Sequence, residues 1–568
     1  MDAPRPMNTS ALVPSFLAAT CLAGVAAEPV VPGRSLVASR YGVVASSQPL
    51  AAAAGVRILE LGGNAIDAAI ATNAVVGVTE PTSNGIGGDL FALVYEAKSQ
   101  RVYALNASGW APSGLTPEWL AEHGHRAMPA RGIYAVTVPG CVAGWSALRE
   151  KFGTLPLSTL LAPAIRTAEE GFPVAEITAG HWHASLALLR ESAEAAHTFL
   201  PGGEAPRAGE IFKNPNLAKS LRRIAEHGAP GFYEGETAEA ILAVSKAQGG
   251  TFTAADLSEF RAEWQEPIST TYRGWRVYET GPNTQGIAAL MMLNLMETFP
   301  MREWGLHSAD ALHTMIEAKK LAYADMLEWV GDPRLTKVPV AAMLDKDRAK
   351  ARAKLIDAKQ AAAHAGPDLD GITNSKGSDT IYLTVVDKDG NIVSLIQSNY
   401  QGFGSGLVPE GCGFMLHNRG ALFTLKPGQA NTLAPRKRPL HTIIPAFMEK
   451  DGVRIGFGIM GGWNQAQAHA QFVSDIADHG LTIQQALEAG RFTKPTFDGV
   501  DVEIEERIPA AARAALAERG HWLRVHGGRP SVFGYGQAVM TTPEHVQFGA
   551  SDPRHDGAAI PQGVPVER

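Results

Sequence analysis

Thr380 is the residue whose surroundings most favour a chemical role. A threonine hydroxyl is a weak nucleophile unless a base lies beside it, and one such base is the free α-amine of the same residue. This amine has an ordinary pKa of about 7.7–8.0, so a useful fraction is neutral near neutral pH. Thr380 follows the polar run GITNSKGSD, and the segment 362–379 lacks periodicity and is rich in Gly, Asp, Ser and Asn, which indicates an exposed linker. Cleavage between Asp379 and Thr380 would therefore produce an N-terminal threonine nucleophile.

Ser398 is predicted to lie beside Thr380. The segments 381–386 and 392–397 alternate in polarity, and the turn signal DKDGN lies between them. A three-residue loop with Gly390 in the left-handed conformation is a common hairpin geometry. Counting outward from this loop places Ser398 opposite Thr380, with Cβ atoms about 4.5–5.5 Å apart, within reach of a hydroxyl–hydroxyl hydrogen bond. Threonine and serine are also ordinary strand residues, so the pair alone does not establish catalysis.

The composition is that of an ordinary globular enzyme. The chain has 568 residues, enough for one large layered unit or two ordinary domains, and 19% of them are charged. Its net charge of -7 is mild and no long block of Lys or Arg occurs, so nucleic acid and an anionic membrane surface are poor partners. Cys21, Cys141 and Cys412 are far apart and form no CxxC pair, which argues against a disulfide framework and a zinc–cysteine site.

The N-terminal segment 1–27 is interpreted as a signal peptide. Residues 11–27 form an apolar run that is too short to span a bilayer comfortably, and Val25 and Ala27 are placed like the small residues of a cleavage site. The leading residues include one Arg, one Asp and no Lys, which is weak for a signal peptide. We expect a periplasmic or secreted protein without a stable membrane span. The alternative is a cytoplasmic protein with a disordered extension.

Helical and strand patterns alternate along the rest of the chain. The segment 47–71 predicts two helices separated by the GGN run at 62–64, residues 140–260 are mostly helical, and 308–325 predict an amphipathic helix. Residues 380–568 begin as a strand-rich half that is expected to need the first half of the chain to complete its core.

No segment predicts a cofactor or a metal ion. His181 and His183 alternate around Trp182, but the surrounding pattern is helical, which would point the two imidazoles apart. HExxH, Walker A and GxSxG motifs do not occur, and the glycine turn at 85–88 lacks the strand–helix context of a dinucleotide site.

Several short segments together are similar to one known family, the γ-glutamyltransferases among the N-terminal-nucleophile hydrolases. The resemblance runs from about Tyr41 to Gly557, and each segment is weak alone but specific in this order and spacing. The segments are GGNAIDAAIA (62–71), NGIGGDLF (84–91), VPGCVAGW (138–145), HTMIEAKKLAYAD (313–325), DTIYLTVVDKDGN (379–391), FGSGLV (403–408), KRPL (437–440), MGG (460–462) and SDPR (551–554).

The resemblance implies a fold and a set of catalytic residues. The implied fold is a four-layer αββα sandwich of the α/β (α+β) class, with two stacked antiparallel sheets between helical layers. Self-cleavage before Thr380 would give a large subunit, 28–379, and a small catalytic subunit, 380–568, which stay together. Ser398 matches a second hydroxyl residue that supports the nucleophile. Gly461 and Gly462 match a pair whose backbone N–H groups receive the oxyanion.

The positions that bind the glutamyl head group in the family are different in this chain. Ser108 replaces the arginine that holds the α-carboxylate, and Leu422 replaces an aspartate that holds the α-amino group. A leucine cannot accept a hydrogen bond from an ammonium group. Further replacements, which we expect to contact the substrate, are Tyr400, Arg419, His441 and Thr442.

These differences favour another carboxylate-bearing ligand. Arg419 and His441 are interpreted as a cationic fork for a carboxylate, with Arg419 making a bidentate pair. The pattern resembles the divergent branch that contains oxamate amidohydrolase and glutathione-hydrolase-like proteins. The alternative for Arg419 is a structural salt bridge.

We therefore expect an amide hydrolase that cleaves γ-glutamyl or related carboxylate-bearing amides through an acyl–threonine, with a small-molecule amide as its partner. One alternative is an amidase or acylase of the oxamate amidohydrolase or cephalosporin acylase type that does not act on γ-glutamyl groups. A second alternative is an unprocessed pseudoenzyme that serves as a binding protein.

Overall fold

The computed structural model describes residues 30–365 and 379–564. The predicted signal peptide and residues 366–378 of the predicted linker lie outside these ranges, and the corresponding expectations stay predictions.

Nineteen strands within the described residues form two large sheets and two small ones. The strands are β1 Val37–Ser39, β2 Val43–Ser46, β3 Asp89–Glu96, β4 Arg101–Ala107, β5 Phe172–Pro173, β6 Ile211–Phe212, β7 Glu263–Gln265, β8 Ile268–Tyr272, β9 Trp275–Glu279, β10 Asp379–Val386, β11 Ile392–Tyr400, β12 Ala446–Lys450, β13 Val453–Ile459, β14 Phe492–Thr493, β15 Asp501–Glu505, β16 Trp522–His526, β17 Gly536–Thr541, β18 Gln547–Ser551 and β19 Ala558–Pro561.

Twenty α-helices accompany them in the described part of the chain. The helices are α1 Pro49–Glu60, α2 Ala65–Thr79, α3 Pro117–Glu122, α4 Cys141–Phe152, α5 Leu157–Glu170, α6 Glu176–Ala184, α7 Leu186–Arg190, α8 Ala193–Phe199, α9 Pro215–His227, α10 Pro230–Tyr233, α11 Gly235–Ala247, α12 Ala254–Ser258, α13 Gly286–Met296, α14 Met301–Trp304, α15 Ala309–Trp329, α16 Val340–Met343, α17 Lys346–Ala353, α18 Gln465–Ala477, α19 Ile483–Glu488 and α20 Ala510–Glu518. Short 3₁₀ turns lie at Ile133–Ala135, Pro201–Gly203, Arg419–Leu422, Gly462–Asn464 and Ser531–Phe533.

The two large sheets are antiparallel and have seven strands each. One has the order β1-β18-β17-β13-β12-β9-β8, and the other has the order β19-β2-β10-β11-β3-β4-β7. Each sheet contains strands from both sides of the predicted cleavage point. In the second sheet β2 pairs with both β10 and β19, and β3 pairs with β11. The two halves of the chain thus share both sheets, and the expectation that residues 380–568 need the first half stays a prediction.

Helices cover the outer face of each sheet, which confirms the four-layer αββα architecture. Apolar residues of both sheets, among them Leu93, Val386 and Phe447, form a core between the sheets. A second core joins one sheet to α1, α2, α4, α5 and α9, and a third joins the other sheet to α13, α15 and α18. Burial on both faces accounts for the apolar run LFALV at 90–94 in β3.

The helix signals in the sequence are explained by local contacts. The predicted break at 62–64 ends α1, and Asn64 then caps α2 through a capping box with Asp67. His181 and His183 lie in α6, as the helical pattern predicted. The prediction of an amphipathic helix at 308–325 is wrong in one respect: α15 is buried on nearly all sides, because the sheet core and neighbouring helices surround it.

The two described cysteines, Cys141 and Cys412, are buried and free. Within 30–365 and 379–564, no helix has the length and apolar character needed to cross a bilayer.

Candidate active site

Thr380 and Ser398 lie side by side on the central hairpin β10–β11. The pairing of Ile381 with Gln397 continues in register to Val386, and Gly390 has φ +84°, as the loop prediction required. A bulge between Asp379 and Ile381 interrupts the ladder at Thr380. Even so, the Thr380 hydroxyl donates to Ser398 Oγ at 3.1 Å, and both side chains are buried.

Arg419 holds the same serine from the opposite side. Its Nη2 donates to Ser398 Oγ at 3.0 Å and its Nη1 donates to Thr442 Oγ1 at 2.6 Å. The guanidinium lies 4.5 Å from the centre of the Tyr400 ring. Burial lowers the pKa of Arg419 to about 10, so the group stays charged at neutral pH. Its Nε has no hydrogen-bond partner among the described residues.

Tyr400 and Leu422 complete the surroundings of Arg419. Tyr400 has φ +78°, an uncommon conformation for a residue other than glycine, and its backbone N–H donates to Ser398 Oγ at 2.7 Å. Leu422 is buried in an apolar cluster that includes Tyr400 and Leu440. The aspartate position of the family is therefore apolar here.

His441 is not the cation that the sequence pattern suggested. Its Nε2 donates to Asp89 Oδ2 at 2.9 Å, and its Nδ1 accepts the backbone N–H of Ile443 at 3.4 Å. Burial lowers the pKa of His441 to about 3, with the positive charge of Arg419 acting in the same direction. His441 is therefore neutral, with both nitrogens occupied, and the predicted cationic fork consists of Arg419 alone.

Ser108 lies in a neighbouring hydrogen-bond network and not against Arg419. Its hydroxyl donates to Asn106 Oδ1 at 2.7 Å and accepts from Asn283 Nδ2 at 3.3 Å. The carbonyl of Asn283 accepts the backbone N–H of His441 at 2.7 Å, which joins this network to the site. The contacts of Ser108 are those of a residue that supports the position of His441.

Gly461 and Gly462 lie on a turn linked to Thr380 through Tyr535. The backbone N–H of Met460 donates to the Tyr535 carbonyl at 3.0 Å, and the Tyr535 hydroxyl donates to the Thr380 carbonyl at 3.3 Å. Gly461 and Gly462 have φ +128° and +59°, which explains the glycines. Within the described residues, neither backbone N–H has an acceptor, as an oxyanion site requires.

Asp89 and His417 belong to the site, although the sequence pattern did not single them out. Asp89 pairs with Ser398 across β3 and β11, and its Oδ1 accepts the backbone N–H of Gly109 at 2.9 Å. Burial opposes ionisation of Asp89, but His417, His441 and Arg419 outweigh it and hold the pKa of the carboxyl below its ordinary value. A lone acidic residue before the apolar strand in GGDLF was the available signal.

A second titratable cluster, remote from Thr380 in the chain, consists of His313, Glu317 and His521. One ligand atom from each lies within 4.8 Å of the others. His313 Nδ1 and His521 Nε2 share a hydrogen bond of 2.8 Å, and Lys320 donates to Glu317 at 2.7 Å. Because each close contact is already a hydrogen bond or ion pair, these residues fit a structural network better than a metal site.

Comparisons with known proteins match this chain over most of its length. A family model described as Gamma-glutamyltranspeptidase matches residues 51–562. The glutathione hydrolase-like YwrD proenzyme of Bacillus subtilis (strain 168) is 36% identical over 93% of this chain and 99% of its own. The oxamate amidohydrolase proenzyme of Klebsiella pneumoniae is 35% identical over 92% of this chain and 98% of its own. The chain in the crystal structure of cephalosporin acylase from Bacillus halodurans has 42% sequence identity to this one. The match covers 93% of this chain and 97% of the acylase chain, with a TM-score of 0.87.

Proposed function

Because the chain belongs to the γ-glutamyltranspeptidase family of hydrolases and acylases, we propose that it hydrolyses amides whose acyl group carries a carboxylate, through an ester on Thr380. The main observation in support is a pair of hydrogen bonds that connects Thr380 to Ser398 and Ser398 to Arg419. It places a buried guanidinium two hydrogen bonds from the candidate nucleophile, a separation that suits a short dicarboxylic acyl group.

Self-cleavage is the first step of the proposal. The Thr380 hydroxyl attacks the carbonyl carbon of Asp379, the C–N bond breaks, and the acyl group moves from nitrogen to oxygen. Water then hydrolyses the ester and leaves the Asp379 carboxylate and a free Thr380 α-amine. The expected products are a large subunit ending at residue 379 and a small subunit spanning 380–568.

The mature enzyme would use the same hydroxyl on its substrate. The α-amine of Thr380 takes the hydroxyl proton as Oγ attacks the amide carbon, and that proton passes to the leaving amine. The oxyanion accepts from the N–H groups of Gly461 and Gly462, each worth about 3–4 kcal/mol in comparable sites. Water then cleaves the acyl ester. Hydrolysis is preferred to transfer because the described residues offer no recognisable acceptor site.

Arg419 is assigned to the substrate carboxylate. It is the permanent cation that contacts Ser398, and its side chain is held by Thr442 and by the Tyr400 ring. The neighbouring Leu422 offers no acceptor for an α-ammonium group. A glutaryl-type or oxalyl-type group is therefore favoured over a γ-glutamyl group.

A matched set of three anilides tests the substrate assignment. Glutaryl-p-nitroanilide carries the carboxylate, γ-glutamyl-p-nitroanilide adds an α-ammonium group, and butyryl-p-nitroanilide lacks both. We expect kcat/KM to be highest for the glutaryl compound. In Arg419→Met this kcat/KM should fall roughly 10- to 150-fold, because a charged hydrogen bond of about 1.5–3 kcal/mol is lost, while kcat/KM for the butyryl compound changes much less.

Other outcomes would redirect the assignment. A preference for the γ-glutamyl compound would mean that the site contains a group, not yet identified, that accepts hydrogen bonds from the α-ammonium group. Release of ammonia from oxamate, measured in parallel, would extend the acyl range to the shortest member. An intact mass that shows one uncut chain, as also expected for Thr380→Ala, would support the pseudoenzyme alternative.

Export is proposed on the strength of residues 11–27 alone. N-terminal sequencing of the protein recovered from periplasm or medium should begin near Glu28. An unprocessed N-terminus in the cytoplasmic fraction would favour the alternative location.

A further inference from the structure

Asp89 and His417 form a buried pair next to Arg419, and the chemistry above does not use them. Asp89 Oδ2 lies 3.5 Å from His417 Nδ1 and also accepts from His441. All four side chains are buried.

The hydrogen positions on His417 follow from its neighbours. Its Nε2 lies 2.8 Å from the carbonyl oxygen of Thr137 and 3.2 Å from the hydroxyl oxygen of the same residue. The carbonyl oxygen is closer and can only accept, so we assign a hydrogen to Nε2, which the hydroxyl oxygen can also accept. In the neutral ring Nδ1 then carries a lone pair. Nδ1 is buried and has no hydrogen-bond partner in the described residues, and it is directed at a carboxylate. A proton on Nδ1 would turn this unfavourable contact into a charge-assisted hydrogen bond.

The charges around His417 explain why Nδ1 stays unprotonated. Asp89 and Arg419 neutralise each other, and His441 is neutral. Burial lowers the pKa of His417 below its ordinary value, and Arg419 acts in the same direction while Asp89 opposes it. Burial raises the pKa of the Cys141 thiol and of Tyr233, the other titratable groups close to Asp89, so both are neutral.

A substrate carboxylate changes this balance. Bound to Arg419, it would leave the buried cluster with one uncompensated negative charge, which is costly in a medium of low polarity. It would also weaken the effect of Arg419 on His417. Both changes favour a proton on Nδ1.

We propose that His417 takes up one proton from solvent when a carboxylate binds to Arg419, and that the resulting N–H donates to Asp89. The inference rests on the proposed assignment of Arg419. One anion and one proton enter together, so the net charge of the buried cluster does not change. His417 is thus a specificity-determining residue that couples carboxylate recognition to proton uptake without touching the substrate.

The sign of the pH dependence follows from linkage. Proton uptake means that the complex holds one more proton than the free enzyme, so affinity rises as pH falls. The relevant pH range lies between the pKa of His417 in the free enzyme and its higher pKa in the complex. Within this range the dissociation constant should increase about tenfold for each unit by which the pH rises. At pH 7 the carboxylate itself is fully ionised.

Calorimetry on the mature wild-type enzyme measures this directly. Oxalate, succinate and glutarate, the products expected from monoamides of dicarboxylic acids, are titrated at pH 7 in buffers with different protonation enthalpies. The slope of the observed enthalpy against buffer enthalpy gives the number of protons taken up. We expect about one for the dicarboxylates that bind. A slope near zero with measurable binding would overturn the inference.

Two glutamine variants locate the proton. His417→Gln keeps a donor for the Thr137 carbonyl but cannot be protonated, so uptake should vanish and the affinity should lose its pH dependence. His441→Gln keeps a donor for Asp89 and should retain uptake. The reverse result would place the proton on His441. Should His417→Gln fail to fold, His417→Asn, which also cannot be protonated, replaces it, and a wild-type slope near zero overturns the inference in either case.

The binding experiments distinguish an error in the role of His417 from an error in the assignment of Arg419. If no dicarboxylate binds, or if Arg419→Met binds them as tightly as the wild type, the assignment of Arg419 is wrong and the inference falls with it. If they bind through Arg419 without proton uptake, only the role of His417 is wrong.

Discussion

At the scale of single residues, Ser398 is the point where the candidate nucleophile and the candidate carboxylate site meet. Its oxygen accepts from the Thr380 hydroxyl, from Arg419 Nη2 and from the Tyr400 N–H. This arrangement orients the Thr380 hydroxyl and holds the guanidinium at once. Removal of the Ser398 oxygen would therefore disturb the nucleophile and the carboxylate site together.

Ser398→Ala should affect both functions. The loss of an acceptor shared with a charged group corresponds to about 1.5–3 kcal/mol, so we expect kcat on glutaryl-p-nitroanilide to fall roughly 10- to 150-fold and KM to rise. Ser398→Thr keeps the hydroxyl and serves as the control, with most activity retained. Equal losses in both variants would show that the serine is needed for its size and not for its oxygen.

At the scale of elements, the contact between the two sheets determines where Thr380 lies. Strand β13 packs against β10 at Gly458, where a Cβ atom would lie 2.5 Å from two ring atoms of Tyr382. Tyr382 cannot turn away easily, because its hydroxyl shares a 2.7 Å hydrogen bond with Ser394. The close approach of the sheets two residues from Thr380 therefore depends on this glycine.

Gly458→Ala should separate the sheets near the site. Overpacking of this kind lowers the free energy of unfolding by about 1–3 kcal/mol, and we expect slower appearance of the two fragments as well. Urea denaturation and a time course on denaturing gels measure the two effects. Gly180→Ala is the matched control, since a methyl group added at Gly180 would have no atom within 4 Å. Normal processing in Gly458→Ala would mean that the sheet spacing is adjustable.

At the scale of the whole molecule, the two segments on either side of residue 379 are interleaved. Because β2 lies between β10 and β19, neither segment has a complete sheet alone. We expect the fragments to elute as one particle in native size-exclusion chromatography and to separate only in denaturant. Residues 380–568 expressed alone should be insoluble, and a soluble folded fragment would contradict this.

A buried ion network adds a pH dependence to this stability. Arg554, in the SDPR segment, donates to Asp552 at 3.0 Å and to Glu505 at 2.9 Å. Burial opposes ionisation of both carboxyls, but Arg554 together with Arg491 outweighs it, and the pKa of each carboxyl is lowered. Groups with a lowered pKa stabilise the fold above their unfolded values, near pH 4, and this contribution is lost as pH falls further.

Thermal unfolding should therefore show a plateau above about pH 5 and a steep decline below pH 4. Arg554→Met leaves two carboxylates buried with fewer partners, so we expect a loss of about 3–5 kcal/mol at pH 7 and a flatter acid branch. Lys350→Met, which breaks the exposed pair with Asp347, is the control and should change little. An unchanged acid branch in Arg554→Met would assign the pH dependence to other groups.

Local patterns were sufficient for the parts of the protein that depend on neighbours along the chain. The turn at Gly390 and the alternation of its flanking strands placed Ser398 beside Thr380, because hairpin register is a short-range property. The GGN break and its cap followed from helix-end chemistry in the same way. The motifs then identified the family and with it the four layers.

The charge state of the pocket was decided only by tertiary contacts. The sequence pattern suggested that His441 is a cation. In the structure its Nε2–H donates to Asp89, more than three hundred residues away in the sequence, and burial keeps the imidazole neutral. No sequence pattern predicted that Asp89 and His417 lie beside Arg419, because their positions depend on which strands pair and on what surrounds them. Burial and long-range pairing set the free energy of a buried proton, and neither can be read from the spacing of residues along a chain.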